Sequence, residues 1–178
     1  MSIKIGCLSD THGFYDERLD DFLGCCDEIW HAGDIGSIEV AEQLARLRPL
    51  RAVHGNIDDN DIRNLYPAHQ RFFCEDVDVW ITHIGGYPGK YDPVVRRLIM
   101  ASPPALFISG HSHILKVMND KKLGLLHINP GAAGRSGMHR VQTAVRFVID
   151  REAISGLEII ELPKKKRDIH MPPSSPTP

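Results

Sequence analysis

Seven side chains that can bind a metal ion recur along the chain, and each follows a short apolar run. In order they are Asp10, His12, Asp34, Asn56, His83, His111 and His113. The set contains carboxylates, an amide and imidazoles, but no thiolate. Such mixed nitrogen and oxygen donors favour Mn, Fe, Co, Ni or Zn over Mg or Ca, which prefer oxygen ligands. The set exceeds the needs of one tetrahedral site and suits two ions that share a bridging carboxylate.

Strand and helix patterns alternate over the first part of the chain and would bring these donors together. The strands are predicted at 3–7, 29–30, 50–53 and 106–108, and the helices at 19–23, 38–47 and 94–99. This alternation predicts parallel strands joined by crossover helices. In open α/β sheets, sites form outside the carboxyl ends of the strands. We therefore expect the donors to converge at one edge, although long segments separate them.

The later part of the chain shows strand patterns without further helices. After residue 111, antiparallel strands are predicted at 114–118, 125–128, 141–149 and 157–162. An earlier pair of adjacent strands is predicted at 71–74 and 77–81, before the helix at 94–99. We expect the late, β-only part to form a second sheet that packs face to face against the first. The predicted fold class is therefore α/β, a two-sheet β-sandwich flanked by helices.

Length and composition indicate a single domain. The chain has 178 residues, of which 42% are hydrophobic and 25% charged, as in ordinary globular proteins. We place the domain at 1–162 and expect the basic, proline-rich segment 163–178 to be a disordered tail. Whether its short run of basic side chains binds an anionic partner is left open.

Charge and targeting signals exclude several classes of protein. The net charge of −2 excludes a strongly basic nucleic-acid module, so we expect no stable nucleic-acid binding. No apolar run is long enough for a membrane span, no signal peptide is apparent, and the cysteines have no CxxC spacing, which together favour a cytoplasmic protein. Residues 1–162 carry 17 basic and 22 acidic side chains. A phosphate site on such a body needs local positive charge, which metal ions could supply.

The order of the motifs resembles that of the calcineurin-like metallophosphoesterases. The matching blocks are Asp10-x-His12, Gly33-Asp34, Gly55-Asn56, His83 and Gly110-His111-x-His113. The resemblance covers residues 3 to 134, where Asn129-Pro130-Gly131 is similar to a loop of the short prokaryotic phosphodiesterase branch. It implies a β-sandwich flanked by helices. It also implies one metal held by Asp10, His12, Asp34 and His113, and a second held by Asp34, Asn56, His83 and His111, so that Asp34 bridges the two.

The same resemblance implies a binuclear-metal phosphodiesterase in which a metal-bridging hydroxide attacks the phosphorus atom. The expected substrate is a small phosphodiester or a nucleotide, and Asn56 could also contact the phosphate. No side chain is assigned as a further catalytic group, and a homo-oligomer stays open. One alternative is a protein-interaction scaffold with a vestigial metal site, as in the vacuolar-sorting subunit of the retromer coat. Another is a weak phosphomonoesterase.

One position departs from the family pattern. Many members carry histidine directly after the motif asparagine, but here Ile57 follows Asn56. Isoleucine has no proton to give to a leaving group, so the substitution favours the diesterase branch over a phosphomonoesterase. We expect the Ile57 side chain to pack beneath its loop. The next residue, Asp58, is interpreted as an acid that stabilises the loop rather than one that orients a ligand.

Several further side chains have more than one interpretation. His31 and His54 could support the metal ligands or could be ordinary buried histidines. His127 could face the site, whereas His69, His139 and His170 are expected at the surface. Arg135 could meet a phosphate, although a surface arginine is the favoured interpretation. The glycine-rich segment 85–90 fails the phosphate-loop pattern, so we interpret it as a flexible loop over the site.

Overall fold

The computed structural model describes residues 2–164, so the predicted tail from residue 165 onward lies outside the described residues. The strands are β1 (Ile3–Leu8), β2 (Glu28–His31), β3 (Leu50–Ala52), β4 (His69–Cys74), β5 (Val77–Thr82), β6 (Gly86–Tyr87), β7 (Lys90–Tyr91), β8 (Leu106–Ile108), β9 (Leu115–Asp120), β10 (Leu125–Pro130), β11 (Val141–Asp150) and β12 (Ala153–Pro163). The helices are α1 (Asp20–Gly24), α2 (Ile38–Leu47), α3 (Asn60–Leu65) and α4 (Pro93–Ala101). Within residues 2–164 there is no helix with the length and apolar character that a bilayer span requires.

Two five-stranded sheets form the body of the protein. The first has the order β12-β11-β1-β2-β3 and the second the order β4-β5-β8-β10-β9. As predicted, β1, β2 and β3 run parallel to one another. In the second sheet β5 runs parallel to β8. Strand β10, which was expected among the antiparallel strands, is antiparallel to β9 but parallel to β8. The expectation that the late strands alone form the second sheet is wrong. The long hairpin β11–β12 instead completes the first sheet, because β11 pairs antiparallel with the open edge of β1.

The sheets pack face to face, as the sequence predicted. The shared core contains side chains of both sheets, among them Ile5, Trp30 and Ile108. The ring of Trp30 meets those of Phe72 and Phe147 edge to face, with centroids 5.2 and 5.9 Å away. Helices α1 and α2 cover the outer face of the first sheet, and α4 covers that of the second. The fold class is therefore the predicted helix-flanked sandwich.

The helices begin where the sequence supplies an N-cap. Ser37 accepts a hydrogen bond from the Val40 N–H at the start of α2, and Asp92 caps α4, whose first residue is proline. Helix α3 was not anticipated from the sequence. Asp59 caps it by accepting from the Ile62 N–H, and Ile62 is its only fully buried side chain. Such a short helix leaves too few apolar positions to show a helical period.

Segment 85–90 is also more ordered than expected. It forms the small hairpin β6–β7 instead of a flexible loop. Two hydrogen bonds hold the hairpin to the body: Ser109 Oγ donates to the Gly86 carbonyl, and the Tyr91 hydroxyl donates to Asp120. The Asp92 N–H donates to the Gly85 carbonyl and closes the base of the hairpin. The hairpin is therefore a fixed wall beside the ends of β8 and β10.

Candidate metal centre

All seven predicted donors lie at one edge of the sandwich. Asp10 and His12 follow β1, Asp34 follows β2 and Asn56 follows β3, whereas His83 follows β5 and His111 and His113 follow β8. Since both sheets contribute parallel strands, the loops at their carboxyl ends meet across the sandwich. The structure thus brings together side chains as far apart in sequence as Asp10 and His113.

The first group of donors consists of Asp10, His12 and His113, whose ligand atoms lie within 4.8 Å of one another. The Nε2 atoms of His12 and His113 are 3.2 Å apart, and His113 Nε2 lies 3.3 Å from Asp10 Oδ1. Asp10 Oδ1 is buried and has no hydrogen-bond partner among residues 2–164. A buried carboxylate oxygen is costly when unpaired. A cation bound by this group would remove that cost.

The second group consists of Asp34, His83 and His111, again within 4.8 Å. His83 Nε2 lies 3.2 Å from Asp34 Oδ2 and 3.1 Å from Asn56 Oδ1. The other ring nitrogen of His83 lies 2.8 Å from the Ala32 carbonyl, to which its N–H donates. That bond leaves Nε2 free to act as a ligand, which is how metal-binding histidines are usually oriented.

Asp34 lies between the two groups. Its Oδ2 atom is 3.2 Å from His83 Nε2 in the second group and 3.7 Å from His12 Nε2 in the first. Its Oδ1 atom accepts a hydrogen bond from the Ile57 N–H. Asp34 is therefore within reach of both groups of donors, whose nitrogen and oxygen atoms are of the kinds that divalent transition-metal ions accept.

The charges at the centre shift the pKa values of its groups. Burial alone would raise the pKa of Asp34, but its hydrogen bond with His83 holds it below its ordinary value. Burial also disfavours charge on His83, yet Asp34 and Asp10 raise the pKa of that ring. The buried carboxylates therefore attract positive charge to the space between the groups.

Five of the seven donors have left-handed backbone. The φ angles of Asp10, His12, Asp34, His111 and His113 range from 49° to 67°. Within residues 2–164 only two other non-glycine residues, Glu75 and Arg151, have positive φ. Non-glycine residues in this region cost free energy and cluster at functional sites. The fold therefore holds the donors in a conformation that local sequence preference does not favour.

Two motif glycines leave room for the ligands. A Cβ atom on Gly55 would overlap the carboxylate of Asp34, and one on Gly33 would lie 2.7 Å from His83 Cβ. Gly33 also has a φ of 93°. A side chain at either position would displace a donor, which explains why glycine directly precedes Asp34 and Asn56.

His31 supports the donor loops from beneath. It is fully buried, and burial lowers its pKa to about 4, so the ring is neutral at pH 7. Its Nδ1 accepts from the Gly33 N–H at 3.1 Å, and its Nε2 lies 3.0 Å from the Thr11 hydroxyl. Thr11 and Gly33 flank the donors of β1 and β2, so His31 fixes the loops that present those donors. His54 is partly buried and lines a cavity next to Asn56.

Two side chains at the site, Arg63 and His139, were not anticipated from the sequence. Arg63, on the unanticipated helix α3, donates to the carbonyls of Gly55 and Asn56 at 3.3 and 3.2 Å. His139 was expected at the surface, but it is half-buried, and its ring centroid is 5.2 Å from that of His113. The Asp59 cap could have signalled α3, whereas no local pattern marks His139.

Three further polar side chains, those of His69, Arg135 and His127, differ in their exposure to solvent. His69 is exposed, as expected, and His170 lies outside the described residues. The Arg135 guanidinium lies over the ring of Phe14 at 3.7 Å, with its side chain exposed, which agrees with a surface arginine. His127 is fully buried.

A family model for the calcineurin-like phosphoesterase superfamily domain matches residues 3–152. The chain belongs to this superfamily. Its structure has the fold of that superfamily, and its two donor groups are the candidate metal-binding groups of a metal-dependent family.

Individual relatives agree with this assignment. A probable metallophosphoesterase of Methanothermobacter thermautotrophicus is 30% identical over 136 residues, which cover 72% of this chain and 76% of the relative. An archaeal phosphodiesterase of known structure has a TM-score of 0.62 at 23% identity, covering 90% of this chain and 100% of its own. Vps29 of Entamoeba histolytica, solved in complex with zinc, has a TM-score of 0.64 at 14% identity. The match covers 89% of this chain and 99% of Vps29. These two structures are similar to this chain in fold.

The residue after the motif asparagine, Ile57, does not have the buried environment that we expected. The Ile57 side chain is 45% exposed and does not pack beneath the loop. Its backbone N–H donates to Asp34 Oδ1, 3.1 Å away. The candidate site therefore has an exposed apolar side chain beside Asn56.

Asp58 has the loop-stabilising role that we expected. It is buried, and its two carboxylate oxygens accept from the N–H groups of Gly36 and Gly55, each at 2.7 Å. These glycines belong to the loops that carry Asp34 and Asn56. The carboxylate therefore fixes the separation of two donor loops.

Removal of this carboxylate should destabilise the protein. We expect Asp58→Ala to lower the free energy of unfolding by about 3 kcal/mol, because it leaves two N–H groups without a charged acceptor. Urea unfolding of the metal-free protein measures the change. Asp61→Ala is the matched control, since Asp61 is an exposed acid in the first turn of α3. Equal stability of the two variants would contradict the role of Asp58.

Proposed function

We propose that this phosphoesterase is a phosphodiesterase that uses two divalent transition-metal ions. The observation that carries the proposal is the position of Asp34 between two groups of donors. Asp10, His12 and His113 would hold one ion together with Asp34. Asn56, His83 and His111 would hold the other with the same carboxylate. When bound, such a pair of ions stabilises charge on the phosphate and lowers the pKa of a water molecule that serves as nucleophile.

The side chains of this protein have positioning roles around that centre. His83 is oriented by the Ala32 carbonyl, and Arg63 holds the carbonyl of Asn56, so that the amide side chain stays beside His83. His31 holds the loops of β1 and β2. This rigidity keeps the donors at fixed separations, so little reorganisation is needed when substrate binds.

The proposal of a diester substrate depends on the environment of Ile57. At this position the side chain cannot donate a proton to a leaving oxygen, and it is exposed beside Asn56. Leaving groups that depart as stable anions do not need such a proton. Aryl diesters should therefore react well and alkyl monoesters poorly, and the natural substrate is proposed to be a small phosphodiester or a nucleotide.

Removal of metal should abolish activity. We expect protein stripped with EDTA to show no turnover of bis(4-nitrophenyl) phosphate, because its side chains offer no nucleophile better than activated water. Addition of Mn or Ni should restore the rate, whereas Ca should restore little, since the imidazole donors suit it poorly. The measurement is release of 4-nitrophenolate before and after each addition.

Two results would contradict this proposal. Full activity in stripped protein would exclude the metal mechanism. Binding of metal without turnover of any aryl phosphate ester would favour the scaffold alternative, to which the fold likeness with Vps29 lends support.

A further inference from the structure

A cavity of about 260 Å³ opens next to His111, on the outer side of the second sheet. Its walls come from the hairpin β6–β7, from β9 and from β10. The hydrogen bond from Tyr91 to Asp120 ties the hairpin to β9, and Ser109 ties it to β8. The cavity is therefore formed without a ligand, and its volume approaches that of the smallest ligand pockets, ~300 Å³.

One wall of the cavity is aromatic. Tyr87 projects from the hairpin, and the Lys116 ammonium of β9 lies 3.5 Å from the centroid of its ring. Ile84 and Ile114, both exposed, add apolar surface to the lining. A flat aromatic group gains from such a wall, because it can stack on a ring and meet a cation at its face.

His127 lines the same cavity and has an unused hydrogen-bonding atom. Side chains alternate along β10, so His127 lies on the same face as Leu125, which packs under α4, and Asn129, which bonds the carbonyl of Gly110. The Ser109 hydroxyl donates to Gly86, so it accepts the Nε2–H of His127 at 3.0 Å. Burial lowers the pKa of His127 to about 4, which keeps the ring neutral at pH 7.

The remaining nitrogen of His127 is then an acceptor. Nδ1 is buried and has no hydrogen-bond partner within the described part of the chain. Buried polar atoms in native proteins almost always have partners, so an unpaired acceptor in a cavity lining calls for an explanation. The lining of the cavity therefore lacks one polar partner.

We propose that this cavity is a subsite for an aromatic arm of the substrate. Tyr87 and Lys116 are the residues that select the arm, and the adjoining donor His111 places the reacting phosphate at the cavity mouth. The inference rests on the proposed function, because it takes the metal centre as the place where phosphate binds. The aromatic arm is either an aryl group joined directly to the phosphate or a nucleobase joined through a sugar.

Binding of unreactive ligand pairs tests the subsite without turnover. Calorimetry on the Mn-bound protein compares phenylphosphonate with methylphosphonate, whose P–C bonds cannot be hydrolysed, and adenosine 5′-monophosphate with ribose 5-phosphate. We expect the aromatic member of at least one pair to bind at least tenfold more tightly. A preference within the first pair identifies an aryl arm, and one confined to the second identifies a nucleobase.

Substitutions in the cavity wall show which residues cause the tighter binding of the aromatic ligand. The preference is the dissociation constant of the non-aromatic ligand divided by that of its aromatic partner. Tyr87→Leu and Lys116→Met should each reduce this ratio at least threefold, whereas Tyr87→Phe should retain it. Lys121→Met is the matched control, because Lys121 is an exposed lysine in the turn after β9. Equal affinities within both ligand pairs would overturn the subsite, and so would a preference that survives in both Tyr87→Leu and Lys116→Met. Since the ratios need no hydrolysis, failure of the proposed function would show separately as absent turnover.

Discussion

An Asp34→Asn variant should lose both metal ions and lower kcat/KM for an aryl phosphodiester by ~10³-fold or more. The size of this fall in kcat/KM follows from the loss of several kcal/mol of charge stabilisation in the transition state, since each 1.36 kcal/mol changes a rate about tenfold. Asparagine keeps the shape of the side chain and an oxygen that can accept from the Ile57 N–H, so the fold should persist. The measurements are metal content by mass spectrometry after dialysis and the hydrolysis rate with Mn present.

Variants that remove a donor from only one group show whether Asp34 serves both groups or only one. His12→Ala and His83→Ala each remove a donor of one group, so each should retain part of the metal. Asp61→Asn removes an exposed carboxylate that belongs to neither donor group, so this variant should bind metal normally. If His83→Ala lost more metal than Asp34→Asn, the bridging assignment of Asp34 would be wrong.

The second large effect is expected at Ile57. General acid assistance is worth about 10²–10⁴ in rate, and this protein has no proton donor at that position. The rate should therefore depend steeply on the pKa of the leaving group. Because the Ile57 side chain is 45% exposed, an imidazole there has room to reach a bound ester. Ile57→His should flatten the dependence and raise hydrolysis of alkyl monoesters.

The measurement is log kcat/KM against leaving-group pKa for both proteins. Ile57→Leu is the control, because it keeps an apolar side chain of the same size and should keep the steep slope. A shallow slope in the unmodified protein would show that another acid acts. His31 is excluded from that role by its burial and its two ring contacts, which leaves His54 beside Asn56 as the next residue to test. An unchanged slope in folded Ile57→His protein would show that position 57 does not face the leaving group.

The convergence of the donors was predictable because each motif directly follows a strand pattern. Asp10, Asp34 and His83 all end apolar runs, and parallel strands bring their carboxyl ends to one edge. The partners of the late strands were not predictable in this way. Strand β11 could pair with either sheet, and its antiparallel register with β1, in which Ile5 faces Phe147, depends on contacts far apart in sequence.

The parts of the site that the sequence did not reveal depend on short or irregular segments. Arg63 reaches the Asn56 loop only because the short helix α3 forms after the Asp59 cap. His139 meets His113 because of the course of an irregular segment that carries no periodic pattern. The Ile57 backbone is bonded to Asp34, which lies 23 residues earlier in the chain, and its side chain is exposed. Such features are set by tertiary contacts and not by local propensity.

A titration of stripped protein with Mn counts the bound ions and follows activity in one experiment. The proposed two-ion mechanism requires that two ions bind per chain, with hydrolysis of bis(4-nitrophenyl) phosphate absent without metal and complete only when the second ion is bound. Full activity with a single ion per chain, or with none, would contradict it.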